Sequence, residues 1–116
     1  MGRLINKAAA LILLGLVAGC GHAPDIYEIT TTVDGEPVEA TVVAVSSENP
    51  DDVLELETND EGFVSFKFPH SSVWEIEFLD GEGEPYPATA TATPEVNGKI
   101  HILTVDVDSA ETVKLP

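Results

Sequence analysis

Apolar and polar residues alternate with a period of two from residue 26 onward, and turn-forming residues recur at short intervals. Because successive side chains of a strand point to opposite faces, this pattern predicts strands rather than helices. The predicted strands cover residues 27–33, 38–45, 53–58, 64–68, 74–78, 88–93 and 100–107, with a further short strand at 112–115. About seven strands without a helical segment predict an all-β fold, a single antiparallel β-sandwich spanning residues 26–116.

Each predicted strand has one apolar face, and together these faces predict the core. Its aromatic members should contribute most of the stability, and they are Tyr27, Phe66, Phe68, Trp74 and Phe78. Residues 88–93 alternate alanine and threonine, so their alanine face is small enough to lie against a bulky neighbour such as Trp74. Asp34-Gly35 predicts a type I′ hairpin, since both central positions of that turn favour positive φ.

The first 19 residues have a different pattern. Arg3 and Lys7 lie in a short positive segment, and an apolar run from Ala8 to Val17 follows. A helix needs about 20 apolar residues to cross a hydrocarbon core, so this run is too short to span a membrane. It predicts a cleaved N-terminal signal helix for secretion.

The segment Leu16-Val17-Ala18-Gly19-Cys20 has the order aliphatic-small-small-cysteine and resembles the lipobox of bacterial lipoproteins. The resemblance implies cleavage before Cys20, a diacylglyceryl thioether on its sulfur and an acyl chain such as palmitate on the new amino group. It implies a signal peptide (1–19), a lipidated cysteine with a tether (20–25) and a folded domain (26–116). Gly21 rather than Asp after the cysteine implies the outer membrane of a bacterial envelope. The alternative is a plain signal peptide followed by an incidental cysteine.

The charge balance restricts the partners. Without residues 1–19 the chain keeps three lysines, no arginine and 21 acidic residues, a formal net charge of −18. Nucleic-acid binding and polybasic attraction to anionic lipid both need cationic side chains, so the composition excludes both. The predicted membrane contact is the lipid on Cys20, with an envelope protein as a further candidate partner. The acidic surface suits either a high-salt habitat, where screening relieves self-repulsion, or an ordinary acidic envelope protein.

Three phrases carry a second resemblance. Residues 32–42 are Thr-Val-Asp-Gly-Glu-Pro-Val-Glu-Ala-Thr-Val, residues 58–66 are Thr-Asn-Asp-Glu-Gly-Phe-Val-Ser-Phe, and residues 74–76 are Trp-Glu-Ile. These phrases resemble carboxypeptidase-regulatory-like domains over about residues 29–80. The resemblance implies a transthyretin-like sandwich that serves as an accessory structural or binding module rather than a catalytic part. Small periplasmic Ig-like lipoproteins, some linked to metal handling, have a similar glycine-aromatic strand before a tryptophan strand, so an Ig-like sandwich is the alternative.

Two acidic loops are the candidate metal site. If they met at one end of the sandwich, their carboxylates would offer the oxygen ligands that Ca²⁺ prefers. The candidate ligands are Glu48, Asp51, Asp52, Asp80, Glu82 and Glu84. Binding of calcium or another metal is therefore the alternative to a structural or interaction module, and solvated acidic loops are the plainer interpretation.

Neither enzymatic activity nor a cofactor is predicted. His70 precedes Ser71 and Ser72, but adjacent residues in a tight turn rarely align as base and nucleophile, and the sequence has no Gly-x-Ser-x-Gly elbow. A hydrolase would require a carboxylate partner for His70. A solvent-exposed turn histidine is the simpler interpretation.

Overall fold

The computed structural model of the protein describes residues 23–116. The predicted signal peptide (1–19) and Cys20 lie outside the described residues. The described part is all-β and has no helix that is long and apolar enough to cross a membrane. Its nine strands are β1 (Ile26–Val33), β2 (Glu36–Pro37), β3 (Thr41–Ser46), β4 (Val53–Glu57), β5 (Phe63–Phe66), β6 (Trp74–Leu79), β7 (Pro85–Ala92), β8 (Ile100–Asp106) and β9 (Thr112–Lys114).

The strands form two sheets. In the first, β1 pairs with β5 along one edge and with β8 along the other, and its last residues form a hairpin with β2. In the second, the strand order is β4-β3-β6-β7-β9. The chain passes repeatedly from one sheet to the other, so neither sheet is a separate unit.

Both sheets contribute to one hydrophobic core. The five aromatic residues predicted to form it are all buried, which confirms that prediction. Their rings connect the sheets, since the ring of Phe68 lies 5.3 Å from that of Tyr27 in β1 and 5.1 Å from that of Trp74 in β6. The alanine face of β7 is also buried, and Ala92 lies opposite Trp74 in the sheet register. The buried alanine face of β7 therefore lies beside Trp74 in the sheet, as predicted.

Glycine is required at two turns. Asp34 and Gly35 have φ angles of 54° and 83°, so the predicted hairpin between β1 and β2 is confirmed with positive φ at both central positions. At Gly62, where φ is 74°, a Cβ atom would lie 2.6 Å from the carbonyl oxygen of Thr31 and 2.8 Å from that of Val38. Gly62 is therefore required for two reasons: its φ angle is positive, and there is no room for a side chain.

The prediction of a wholly antiparallel arrangement is wrong for two strand pairs. β1 and β8 run parallel from Ile26 opposite Ile100 to Thr32 opposite Asp106, and β7 and β9 also run parallel. The period of two identifies the faces of a strand but carries no information about the direction of its neighbour. Parallel pairs depend on long-range crossover connections, which local patterns do not show.

The strand count also differs from the predicted seven. The strand expected over 38–45 begins only at Thr41, because backbone amides of the preceding residues donate hydrogen bonds to partners outside β4 and β6. The Val38 amide donates to the carbonyl of Thr31, and the Ala40 amide donates to the side-chain oxygen of Thr58. The further short strand predicted at 112–115 is present as β9, and the two residues of β2 complete the nine strands.

The strand register shows which loops and strand termini lie at each of the two opposite ends of the domain. One end, here called the entry end, is where the chain enters β1, and it includes residues 23–26, 46–52, 67–74, 92–100 and 114–116. The opposite end, here called the far end, includes residues 33–41, 57–62, 79–85 and 106–112.

Candidate functional site

Asp25 is the most completely buried acidic side chain of the entry end, with a relative exposure of 3%. One carboxylate oxygen accepts hydrogen bonds from the backbone amides of Asn97 (2.9 Å) and Lys99 (3.1 Å). The other lies 2.8 Å from Nε2 of His101 in β8. Asp25, which the sequence predicts to lie in the tether, is therefore a structural part of the folded domain.

The environment of Asp25 favours its ionised form. Burial raises the pKa of the Asp25 carboxyl, but hydrogen bonds from His101, Lys99 and Asn97, with the charge of His101, outweigh burial and hold the pKa below its usual value. The carboxylate is thus an anion at neutral pH. It fixes the loop between β7 and β8 against the start of β1.

Two further hydrogen bonds, made by Tyr27 and Ala23, fix other parts of the chain at the same end. The Tyr27 hydroxyl donates to the carbonyl oxygen of Pro116 at 2.7 Å, and the carbonyl of Ala23 accepts from the Gly98 amide at 2.8 Å. Burial, reinforced by the carboxylates of Asp25 and Glu95, raises the pKa of the Tyr27 hydroxyl, so it stays a neutral donor. The chain is therefore fixed to the body of the domain from Ala23 onward.

A second polar network of the entry end contains His70. Its Nε2 lies 2.8 Å from a carboxylate oxygen of Asp52, its Nδ1 lies 3.5 Å from the hydroxyl of Ser72, and that hydroxyl lies 2.9 Å from the hydroxyl of Ser46. The Trp74 indole N–H donates to the His70 carbonyl oxygen at 3.1 Å. His70 therefore has the carboxylate partner that a hydrolase would require.

The geometry of this network is that of a structural link rather than of a catalytic triad. The Ser72 side chain is buried and its hydroxyl is hydrogen-bonded to that of Ser46, whereas a nucleophile must face a substrate. Its 3.5 Å separation from Nδ1 also exceeds an ordinary hydrogen bond to a base. The His70 and Asp52 side chains are 40% and 45% exposed. Their contact therefore joins two surface loops, the one after β3 and the one after β5.

The structure does not bring the two acidic loops together. In the register of β3 and β6, Ser46 lies opposite Trp74 and Thr41 lies opposite Leu79. The loop with Glu48, Asp51 and Asp52 therefore belongs to the entry end, and the loop with Asp80, Glu82 and Glu84 belongs to the far end. At about 3.3 Å per residue, β3 separates them by roughly 17 Å. The convergence that a calcium site shared by both loops would need is therefore not found, because the hairpins that carry them point in opposite directions.

The carboxylate of Asp80 is used within its own loop. One of its oxygens accepts the backbone amides of Glu82 at 2.8 Å and Glu84 at 3.0 Å. Asp80 also lines a shallow depression of about 340 Å³ together with Glu39, Glu55 and Glu57. Within residues 23–116, no three His, Cys, Asp or Glu side chains are placed to hold a metal ion.

Charge is distributed unevenly between the two ends, a feature that sequence analysis alone misses. All three lysines of the described part lie at the entry end: Lys67 follows β5, Lys99 precedes β8, and Lys114 ends β9. The far end has no lysine and twelve of the 21 acidic residues, namely Asp34, Glu36, Glu39, Glu57, Asp60, Glu61, Asp80, Glu82, Glu84, Asp106, Asp108 and Glu111. The register of long-range strand pairs produces this asymmetry, so local patterns give no sign of it.

Exposed apolar side chains follow the same asymmetry. Ile100 is 57% exposed at the start of β8, and Ile102 is 78% exposed two residues later. Val53, Val73 and Val96 are also exposed, and each lies in or next to a loop of the entry end. The exception is Phe63, which lies opposite Thr30 on the first sheet. The entry end thus combines three lysines and five acidic residues with exposed apolar side chains, whereas the far end is acidic and has no lysine.

The comparisons with known proteins place the chain in no family. No model of a known protein family matches the sequence. A search of the curated proteins likewise finds no match.

Proposed function

We propose that the protein is a lipid-anchored lipoprotein of a bacterial cell envelope. In this proposal residues 1–19 are a signal peptide that is removed, and Cys20 receives a diacylglyceryl thioether and an N-acyl chain. Two or more acyl chains hold a protein stably at a membrane, at about 0.8 kcal/mol for each buried CH₂ group, whereas a single chain does not. Gly21 after the cysteine favours the outer membrane.

The observation that carries the proposal is the segment Leu16-Val17-Ala18-Gly19-Cys20 directly in front of a folded all-β domain. Ala23 is already hydrogen-bonded to Gly98, and Asp25 is buried. Only Gly21 and His22 separate Cys20 from this fixed segment, which is the short spacing expected of a domain held close to its anchor.

We further propose that the domain is a transthyretin-like or Ig-like sandwich with a non-catalytic, structural or interaction role. Two sheets that share one core, the Asp34-Gly35 hairpin and the Gly62 turn support a sandwich of this kind. Their edges offer unpaired backbone groups to which an envelope protein can add a strand.

Membrane fractionation of cells that express the full chain tests the proposal. We expect the wild-type protein to partition into the detergent phase of a Triton X-114 extract, and Cys20→Ser to enter the aqueous phase. Globomycin, which blocks the lipoprotein signal peptidase, should cause the larger precursor to accumulate. Gly21→Ala keeps the lipobox and serves as the matched control. A Cys20→Ser protein that partitions and migrates like the wild type would contradict the proposal.

A further inference from the structure

We infer that the entry end of the domain rests on the lipid bilayer and that Ile26, Ile100 and Ile102, here called the isoleucine patch, contact the membrane interface. This inference rests on the proposed acylation of Cys20. It adds an orientation of the domain and a second, non-covalent membrane contact beside the lipid.

Chain length places the entry end close to the membrane. Cys20 precedes Ala23 by three residues, and an extended chain spans at most about 3.6 Å per residue. The anchor point therefore lies within about 11 Å of Ala23, whose carbonyl is bonded to Gly98. A domain attached by so short a segment has little freedom to turn another surface toward the bilayer.

The isoleucine patch lies on the outer face of the first sheet at this end. Ile26 lies directly opposite Ile100 in the parallel register, and Ile102 lies opposite Glu28. These side chains point away from the core because Tyr27 and Ile29 point into it. β8 is an edge strand, and no other strand of residues 23–116 covers its free side. Ile100 and Ile102 are exposed and Ile26 is half-buried, so the patch is open to a partner on this face.

Charge favours the same orientation, because the entry end has three lysines against five acidic residues, whereas the far end has twelve acidic residues and no lysine. Lys99 directly precedes Ile100 in the sequence. Lys67 follows Phe66, the residue opposite Tyr27, so it comes next to Ile26 when the register of β1 and β5 is continued by one residue. Ammonium groups that flank apolar side chains suit an interface of phosphate headgroups above acyl chains. The twelve acidic residues of the far end are held away from the surface, since the smallest extent of the molecule is 27 Å and the Debye length is about 8–10 Å.

A bilayer explains these features better than a second copy of the chain. Two copies that met through their isoleucine patches would bring together two domains of charge −18. The bilayer is also the one partner that the anchor brings within reach at every moment. The occupant of the patch is therefore the interfacial layer of the membrane.

Site-specific labelling of the acylated full-length product tests the orientation. Ile102→Cys and Glu82→Cys each introduce one free thiol, because the sulfur of Cys20 carries lipid. Both positions are exposed, so circular dichroism should show an unchanged fold. Each protein is labelled with an environment-sensitive fluorophore and reconstituted into phosphatidylcholine–phosphatidylethanolamine vesicles. The label is then quenched either from water with iodide or from the bilayer with brominated lipid.

We expect the label at position 102 to be quenched by brominated lipid and protected from iodide, and the label at 82 to show the reverse. Equal iodide quenching at both positions, in protein that floats with the vesicles, would overturn the orientation and leave the anchor intact. Protection at 102 that persists in detergent and is lost on dilution would overturn it in favour of a second copy. Protein that carries no acyl group and does not float would refute the anchor, and with it the inference.

Discussion

Asp25 and His101 are joined by a contact of 2.8 Å between a carboxylate oxygen and a ring nitrogen, which fastens the residue before β1 to β8. The Asp25 side chain is 4% exposed and that of His101 is 17% exposed. Because β1 and β8 run parallel, both strands start at this contact. It closes the end of the domain that faces the proposed anchor.

Removing the Asp25 carboxylate should destabilise the domain at neutral pH. The pKa of Asp25 in the folded protein lies below its usual value, so the stabilisation is present above the unfolded-state pKa of about 3.9 and is lost as the pH falls through the folded-state value. Asp25→Ala is therefore expected to cost roughly 2–3 kcal/mol at pH 7. In strong acid, below both pKa values, this cost should shrink.

Urea unfolding of the soluble 21–116 fragment, followed by fluorescence of Trp74, measures this cost. Asp52→Ala removes the partner of His70 from an exposed pair and is the matched control, with an expected change within about 0.5 kcal/mol. Equal losses for the two variants at pH 7 would contradict the structural role of Asp25.

Substitution of Gly62 should be far more costly than substitution of Gly35. Both residues have positive φ, and this strain alone costs an alanine about 1–2 kcal/mol. A Cβ at Gly62 also clashes with two carbonyl oxygens, whereas a Cβ at Gly35 meets nothing within 4 Å. We expect Gly62→Ala to cost at least about 3 kcal/mol. Similar urea midpoints for the two variants would show that the chain at Gly62 can relax.

Truncation of Trp74 should remove a large part of the stability. Its side chain is fully buried, with its ring 5.1 Å from that of Phe68, so Trp74→Ala is expected to cost about 3–5 kcal/mol. Ile102→Ala, at a position 78% exposed, should change the unfolding free energy by less than about 0.5 kcal/mol. Unfolding followed by circular dichroism compares both variants, and a marked loss for Ile102→Ala would mean that this residue supports the fold.

Salt should stabilise the domain, because screening relieves repulsion among the acidic residues of the far end. The urea midpoint is expected to rise between low and molar NaCl. The gain should diminish when Asp60, Glu61 and Asp108 are replaced by their amides. A midpoint that does not change with salt would argue against adaptation to a high-salt habitat.

Calcium should not bind tightly across the two acidic loops, since the register of β3 and β6 places them at opposite ends. Isothermal titration of the 21–116 fragment with Ca²⁺ is expected to show no binding at sub-millimolar affinity. Heat of binding that disappears in Asp80→Asn would instead identify a site within the far-end loop alone.

The faces of the strands could be predicted from the sequence because burial is a local, alternating pattern. Tyr27 and Ile29 point inward while Glu28 points outward, and the same holds for Trp74, Ile76 and Glu75. The hairpin at Asp34-Gly35 was equally predictable, since its backbone conformation depends on two adjacent residues.

Features that depend on pairing between distant strands could not be predicted in this way. Nothing near Ile100 indicates that β8 runs parallel to β1, and nothing near Asp25 indicates that His101 lies 76 residues along the chain and 2.8 Å away. The separation of the acidic loops and the gathering of all three lysines at one end follow from the same long-range register. These are the features on which the candidate site depends.

Mass spectrometry of the N-terminal peptide of the protein isolated from membranes tests the central claim most directly. Acylation predicts that this peptide begins at Cys20 and carries the mass of a diacylglyceryl group and an N-linked fatty acid. A peptide that begins elsewhere, or one that begins at Cys20 with a free thiol and a free amino group, would contradict the account.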